Sequence, residues 1–202
     1  FQGGMHIANA ELSLQDSDGL WRWRMSTRSR GIYSFFISSS PYSETSFTQT
    51  DNDIQLQRIL VTDAADKKKN ESANFDWNKG TIAVLRRGKQ KQLALDANVY
   101  DYHSIHLLTA AMQLREQKNT TVDFYVKGQL VKSRITHSGR GAVNINGESI
   151  DAVIFEQVMV RSNSKIKYYY DAENPLLPLR IEKLESGESP SILSLQKVTW
   201  DL

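Results

Sequence analysis

The chain has 202 residues, 40% of them apolar and 24% charged, with 25 basic against 23 acidic side chains. That length suits one domain, and that composition belongs to a self-folding globular protein rather than a disordered one. The net charge of +2 is dispersed, which argues against nucleic acid as a partner; no apolar run is long enough for a membrane-spanning helix; and the absence of cysteine excludes disulfides, thiolate metal sites and a cysteine nucleophile.

The opening FQGG, Phe1 to Gly4, matches the tail of a protease-cleavage scar and equally the end of a first strand, and it carries neither the basic nor the apolar part of an export signal. Further on, GLWRWRMSTR alternates, with Trp21, Trp23 and Met25 on one face and Arg22, Arg24 and Ser26 on the other, which predicts a half-buried strand. The same period of two recurs in DIQLQRILV, TTVDFYVKG, SKIKYYYDA and PLLPLRIEKLE, while DAVIFEQVMV is apolar on both sides and predicts a central strand. Turn chemistry punctuates these runs at DSDG, RSRG, TDND, WNKG, RRGK, HSGRG, INGE and AENP, and Asn146-Gly147 is the strongest hairpin signal. Such spacing on both sides of a single helix predicts an all-β chain: a curved antiparallel sheet or open β-barrel of about ten to thirteen strands with one central α-helix. The expected organisation is a single domain over residues 1–202.

The helix is expected from Asp101 to about Lys118 in NVYDYHSIHLLTAAMQLREQK. Asp101 is a suitable N-cap. Ile105, Leu107, Leu108, Ala111, Met112 and Leu114 fall on one broad half of the wheel, with His103, His106 and Gln113 on the other, so the helix is expected to cover the concave side of the sheet.

His103 and His106 are helix-surface neighbours, yet the next positions on their row, Ala110 and Gln113, supply no further ligand, so no metal and no cofactor is expected. The letters DYHS do not make a hydrolase triad, because adjacent helical residues diverge by about a hundred degrees. Asp76, Asp101 and His103 are the acid and base candidates if the protein is an enzyme, which the sequence makes the lesser reading. The basic runs KKK and RRGKQK read as solvated turns, or as attraction to anionic lipid or glycan. Trp21, Trp23, Phe35, Phe75 and Trp77 recur at alternate strand positions, which core packing explains first, while in an incompletely filled sheet the same residues would line a ligand cavity.

The stretches GMHIANAELSL, NFDWNKGTIAV, YDYHSIHLL and AENPLLPLRIEKLESGESPSILSLQKVTWDL, taken in that order, resemble the bacterial exported family called domain of unknown function 3108. The likeness spans essentially the whole chain. It implies a periplasmic protein of Gram-negative bacteria, normally made with a signal peptide, and no assigned activity. A curved sheet around a helix would also be similar in architecture to lipoprotein carriers of the LolA and LolB type, an analogy of fold alone. The expected function is therefore non-catalytic binding or carriage of an apolar or amphipathic cell-envelope ligand, a lipid or lipoprotein acyl chain, with peripheral membrane contact and no nucleic acid. Trp21, Trp23, Phe35, Phe75, Trp77 and Met112 would line the cavity, and Tyr102 and His106 would stand at its mouth. The rivals are a hydrolase or lyase acting on envelope glycan, and a structural or adaptor protein whose edge strands pair with an envelope partner.

Overall fold

The computed structural model describes residues 8–29, 41–51, 53–160, 165–176, 178–184 and 190–198. Phe35 and Phe1 to Gly4 lie outside the described residues. The strands are β1 (Ala8–Ser17), β2 (Leu20–Ser29), β3 (Pro41–Gln49), β4 (Ile54–Asp63), β5 (Glu71–Asp76), β6 (Thr81–Arg86) and β7 (Lys89–Ala94). They continue as β8 (Val99–Tyr100), β9 (Asn119–Val126), β10 (Gln129–Ile145), β11 (Glu148–Met159), β12 (Lys165–Asp171), β13 (Pro178–Leu184) and β14 (Ser191–Ser194). Among the described residues the one α-helix, α1, spans Ile105–Leu114. The fold is thus all-β, with one α-helix among the described residues, as the alternation predicts.

One sheet runs β1 to β7 in sequence order with every neighbouring pair antiparallel. The other has the order β14-β13-β12-β11-β10-β9-β8, in which β8 runs parallel to β9. The chain folds as two compact units: His6–Ser104 with Asp123–Val131, and Phe1–Met5, Ile105–Val122 and Lys132–Leu202.

The first unit holds the β1 to β7 meander. Period-two alternation drives one face inward, and Trp23, Phe47, Leu56, Phe75, Ile82 and Val84 form its core. A bulge shifts the phase midway along β4: Ser46 faces Arg58 while Phe47 faces Leu56, which leaves Gln57 as the extra residue. Buried Ile54 and Leu56 therefore give way to buried Ile59.

The second unit packs Ile135, Phe155, Ile166, Tyr168 and Tyr170 into its core, and β11 lies between β10 and β12 as its two-sided apolar run predicts. HSGRG, expected as a turn, is not one. β10 continues through it for 17 residues, and the pairing with β11 slips between His137 and Gly139, where Gly139 has φ 114°. Glycine there absorbs a bulge instead of ending the strand.

The helix is shorter than its propensity predicts, because both ends are capped. Asp101 Oδ1 accepts from the backbone N–H groups of His103 and Ser104 at 3.2 and 2.8 Å, and Ser104 Oγ accepts in turn from Asp101 N at 2.8 Å. This reciprocal box closes the turn that leads into α1. At the other end Glu116 takes φ 53°, Gln117 N donates to Met112 O at 2.8 Å, and Glu116 N to Gln113 O at 3.2 Å. That is a Schellman cap with glutamate in the left-handed position, and it stops the helix short of Lys118.

The buried face also differs from the expected one. Ile105, His106, Thr109, Ala110 and Met112 are buried, while Leu114 is 79% exposed. The helix turns a histidine inward because β12 offers it partners: His106 Nδ1 lies 2.7 Å from Tyr170 Oη, and its ring meets Tyr168 and Tyr170 edge-on at 5.6 and 5.9 Å.

Candidate functional site

The first unit carries a groove of about 660 Å³ on the outward face of β4 to β7, and eight of its eleven lining residues come from the stretch NFDWNKGTIA. Alternation along β5 buries Ala73 and Phe75 and leaves Asn74 and Asp76 outside. Strand pairing then lines up Asn74, Ala83 and Gln92 across three strands, with Asp76 opposite Thr81 in the next row. Small side chains at Thr81 and Ala83 keep the floor low. From β4 come Gln55 and Gln57, two residues apart on its outward face.

The loop Trp77–Gly80 that closes β5 onto β6 is held from three sides. Asp76 Oδ1 accepts from Lys79 N at 3.0 Å, Lys79 Nζ pairs with Asp76 Oδ2 at 3.1 Å, and Trp77 Nε1 donates to Leu56 O at 2.7 Å. The Lys79 amide, then its side-chain ammonium, hold the Asp76 carboxyl below its ordinary range. Asp76 is therefore an ionised turn anchor and a poor proton donor. With its only hydrogen-bonding atom spent on Leu56, Trp77 offers the groove ring carbon surface alone.

Amides dominate the remaining lining. The Gln57 amide nitrogen is committed to Thr48 Oγ1 at 3.1 Å and Gln55 O at 3.3 Å. Gln55, Asn74, Asn78 and Gln92 make no side-chain hydrogen bond among the described residues. Each such amide brings two donors and an acceptor.

Asp101 and His103 lie elsewhere, in a buried network of the same unit. Besides its capping bonds, the Asp101 carboxylate accepts from Ser104 Oγ at 2.7 Å and from Thr45 Oγ1. His103 Nε2 lies 2.8 Å from Ser43 Oγ, and the ring stacks on Trp23 with centroids 6.4 Å apart. Burial pushes the His103 pKa down against the opposing pull of Asp101, so the imidazole is neutral at neutral pH. Although serine, histidine and aspartate meet here, Asp101 bonds to the His103 backbone amide and not to its ring. The carboxylate is spent on capping, so the arrangement lacks the ring-orienting bond of a triad. Asp76 shares no hydrogen bond or ion pair with either residue among those described.

The remaining expected site residues fall as follows. Phe75 and Trp77 line the groove; Trp23 is 1% exposed in the first core; Trp21 is half-buried on the same side of β2. Tyr102 is exposed and meets Phe124 edge-on at 5.1 Å. His106, expected at a cavity mouth, is instead buried against Tyr170, and Met112 is buried on the same helix. Each imidazole of the His103 and His106 pair is matched with a hydroxyl. The sequence reading missed Gln55, Gln57, Asn74, Asn78 and Gln92; the one signal available was the place of four of them on the polar side of alternating strands and of Asn78 in the WNKG turn.

A family described as "Protein of unknown function (DUF3108)" matches residues 1–188, and the chain belongs to it. The chain is similar to a crystal structure from Brucella abortus described as a beta-barrel-like protein of domain of unknown function DUF1849, with 11% identity and a TM-score of 0.56 over 95% of this chain and 87% of that one. At that identity the likeness is one of fold. No curated protein sequence matches the chain.

Proposed function

We propose that this family member is a non-catalytic binding protein of the cell envelope, whose groove on the NFDWNKG hairpin takes a polar, hydroxyl-rich ligand of the glycan class. The observation that carries this reading is the lining: five side-chain amides, one ionised carboxylate and the carbon surface of an anchored indole, on a rigid strand platform. Amides give and accept hydrogen bonds with hydroxyl pairs, while a ring surface suits the apolar face of a sugar. An acyl chain would need an apolar lining, and Trp23 and Met112, which were to supply it, are each 1% exposed. Binding rather than cleavage is favoured because Asp76 is the one carboxylate in the lining and is held ionised, so no acid and base pair faces the groove. Export to the periplasm, implied by the family resemblance, belongs to the same proposal and is checked by fractionating cells that make the protein from its full-length gene.

The test is calorimetric titration against a panel of envelope oligosaccharides, for the native protein and for Asn74→Ala combined with Gln92→Ala. Two lost hydrogen bonds at about 1 kcal/mol each predict roughly thirty-fold weaker binding with an unchanged melting temperature. No binding at millimolar sugar, or acyl lipid extracted from gently isolated protein, would overturn the glycan reading.

A further inference from the structure

We propose that the adjoining tips of the β6–β7 and β9–β10 hairpins form a docking surface for an anionic phospholipid membrane, held through Arg87, Lys89, Lys91 and Lys127. The inference is independent of the groove and starts from turn chemistry. Among the described residues, four hairpins close through two residues that both have positive φ: Asp18-Gly19, Arg87-Gly88, Lys127-Gly128 and Asn146-Gly147. Such turns favour asparagine, aspartate or glycine at the first position, because a side chain there strains the left-handed backbone. Two of the four obey. The other two carry a cation instead, and they are the pair that the fold brings together. A Cβ built on Gly128 would stand 3.2 Å from Arg86 Cδ and 3.7 Å from Lys91 Cε.

A buried carboxylate joins the tips. Glu71, 7% exposed, places Oε1 2.9 Å from Gly128 N and Oε2 2.6 Å from Arg86 Nε. It thereby fixes one hairpin against the other and neutralises Arg86 alone. Arg87, Lys89, Lys91 and Lys127 are exposed and have no ion-pair partner among the described residues. Four unneutralised cations, Arg87 and Lys127 at the turns and Lys89 and Lys91 on the adjoining strand β7, present a positive surface to which a flat anionic bilayer is complementary. Leu85, two residues before the turn and 43% exposed, adds an apolar group at the same margin. Nucleic acid is the poorer match, because no aromatic side chain stands among these residues to stack on a base.

The experiment is vesicle flotation with phosphatidylcholine alone and with about 30% phosphatidylglycerol added, at low salt and at about 0.5 M salt. The native protein is expected to float only with anionic vesicles and to be released by salt. Arg87→Asn with Lys127→Asn supplies the favoured turn pair at both tips, so it keeps or raises the melting temperature while weakening partition about twenty-five-fold, at about five-fold per charge. Lys89→Gln with Lys91→Gln should weaken partition to a similar degree without touching either turn. Equal flotation with neutral vesicles, unchanged partition in both variants, or capture by a polyanionic glycan or DNA but not by vesicles would overturn the proposal.

Discussion

Replacing Asp101 by alanine removes the carboxylate on which the entry to α1 and the nearby core both depend. Its side chain caps two backbone N–H groups and accepts from two hydroxyls, those of Ser104 and Thr45. Loss of an N-cap costs about 1 kcal/mol. Thr45 is 0% exposed, and a buried hydroxyl left without its acceptor costs a further 1–3 kcal/mol, roughly. The sum, about 2–4 kcal/mol, corresponds to a fall in melting temperature of about 5–15 °C for a chain of this size. Asp101→Asn is the control, since asparagine caps as well as aspartate and the Thr45 hydroxyl can turn to accept from the new amide; its cost should stay below about 1 kcal/mol. Scanning calorimetry alongside circular dichroism measures both. If alanine lies within about 0.5 kcal/mol of the native protein, or asparagine is as damaging as alanine, the capping argument is wrong.

His103 titrates below its ordinary value because it is buried, so the unfolded chain takes up the proton first as pH falls. Stability is therefore complete above the unfolded value of about 6.5 and declines on acidification below it; His137 shifts in the same direction with little burial and adds little. His103→Gln should flatten the fall in melting temperature between about pH 7.5 and 5.5, and an unchanged slope would remove His103 as its source. Gly128→Ala and Gly19→Ala both force alanine into positive φ, at 74° and 79°, but only the first also meets Arg86 and Val84, at 3.2 and 3.4 Å. Gly19→Ala should cost about 1–2 kcal/mol and Gly128→Ala distinctly more, as read by chemical denaturation; equal costs would mean that the two hairpins are not packed together.

The strands were legible because each carries its own evidence, an alternation that works whatever it pairs with. LWRWRMSTRS on β2 and KIKYYYD on β12 bury the side chains that their period assigns, Trp23 on one and Ile166, Tyr168 and Tyr170 on the other. The helix was legible only in its existence. A helical wheel sorts residues by polarity, and polarity misleads wherever a buried polar side chain finds a partner far off in sequence. His106 is satisfied 64 residues away by Tyr170, and His103 is satisfied 60 residues away by Ser43. Neither separation leaves a trace in the local pattern. The Schellman end was hidden for a related reason, since glutamate is rarely the residue that marks a left-handed cap.

The groove shows the same division at the level of function. The NFDWNKG loop could be seen as a turn, and it supplies most of the lining, but Gln55, Gln57 and Gln92 join it through strand register, which the local pattern of one strand does not announce. What the aromatic pattern suggested, a cavity on the inner face, runs against how that face is used in the first unit. Trp23, Phe47, Leu56 and Phe75 there are at most 6% exposed, and the neighbouring Thr45, Ser104, Arg86 and Gly128 are bound by the Asp101 and Glu71 carboxylates. A face whose apolar side chains are packed has little left to offer a ligand. Unspent hydrogen-bonding capacity remains on the outward amides and unspent charge on the hairpin tips, so recognition in this unit is argued from its polar side rather than from its tryptophans.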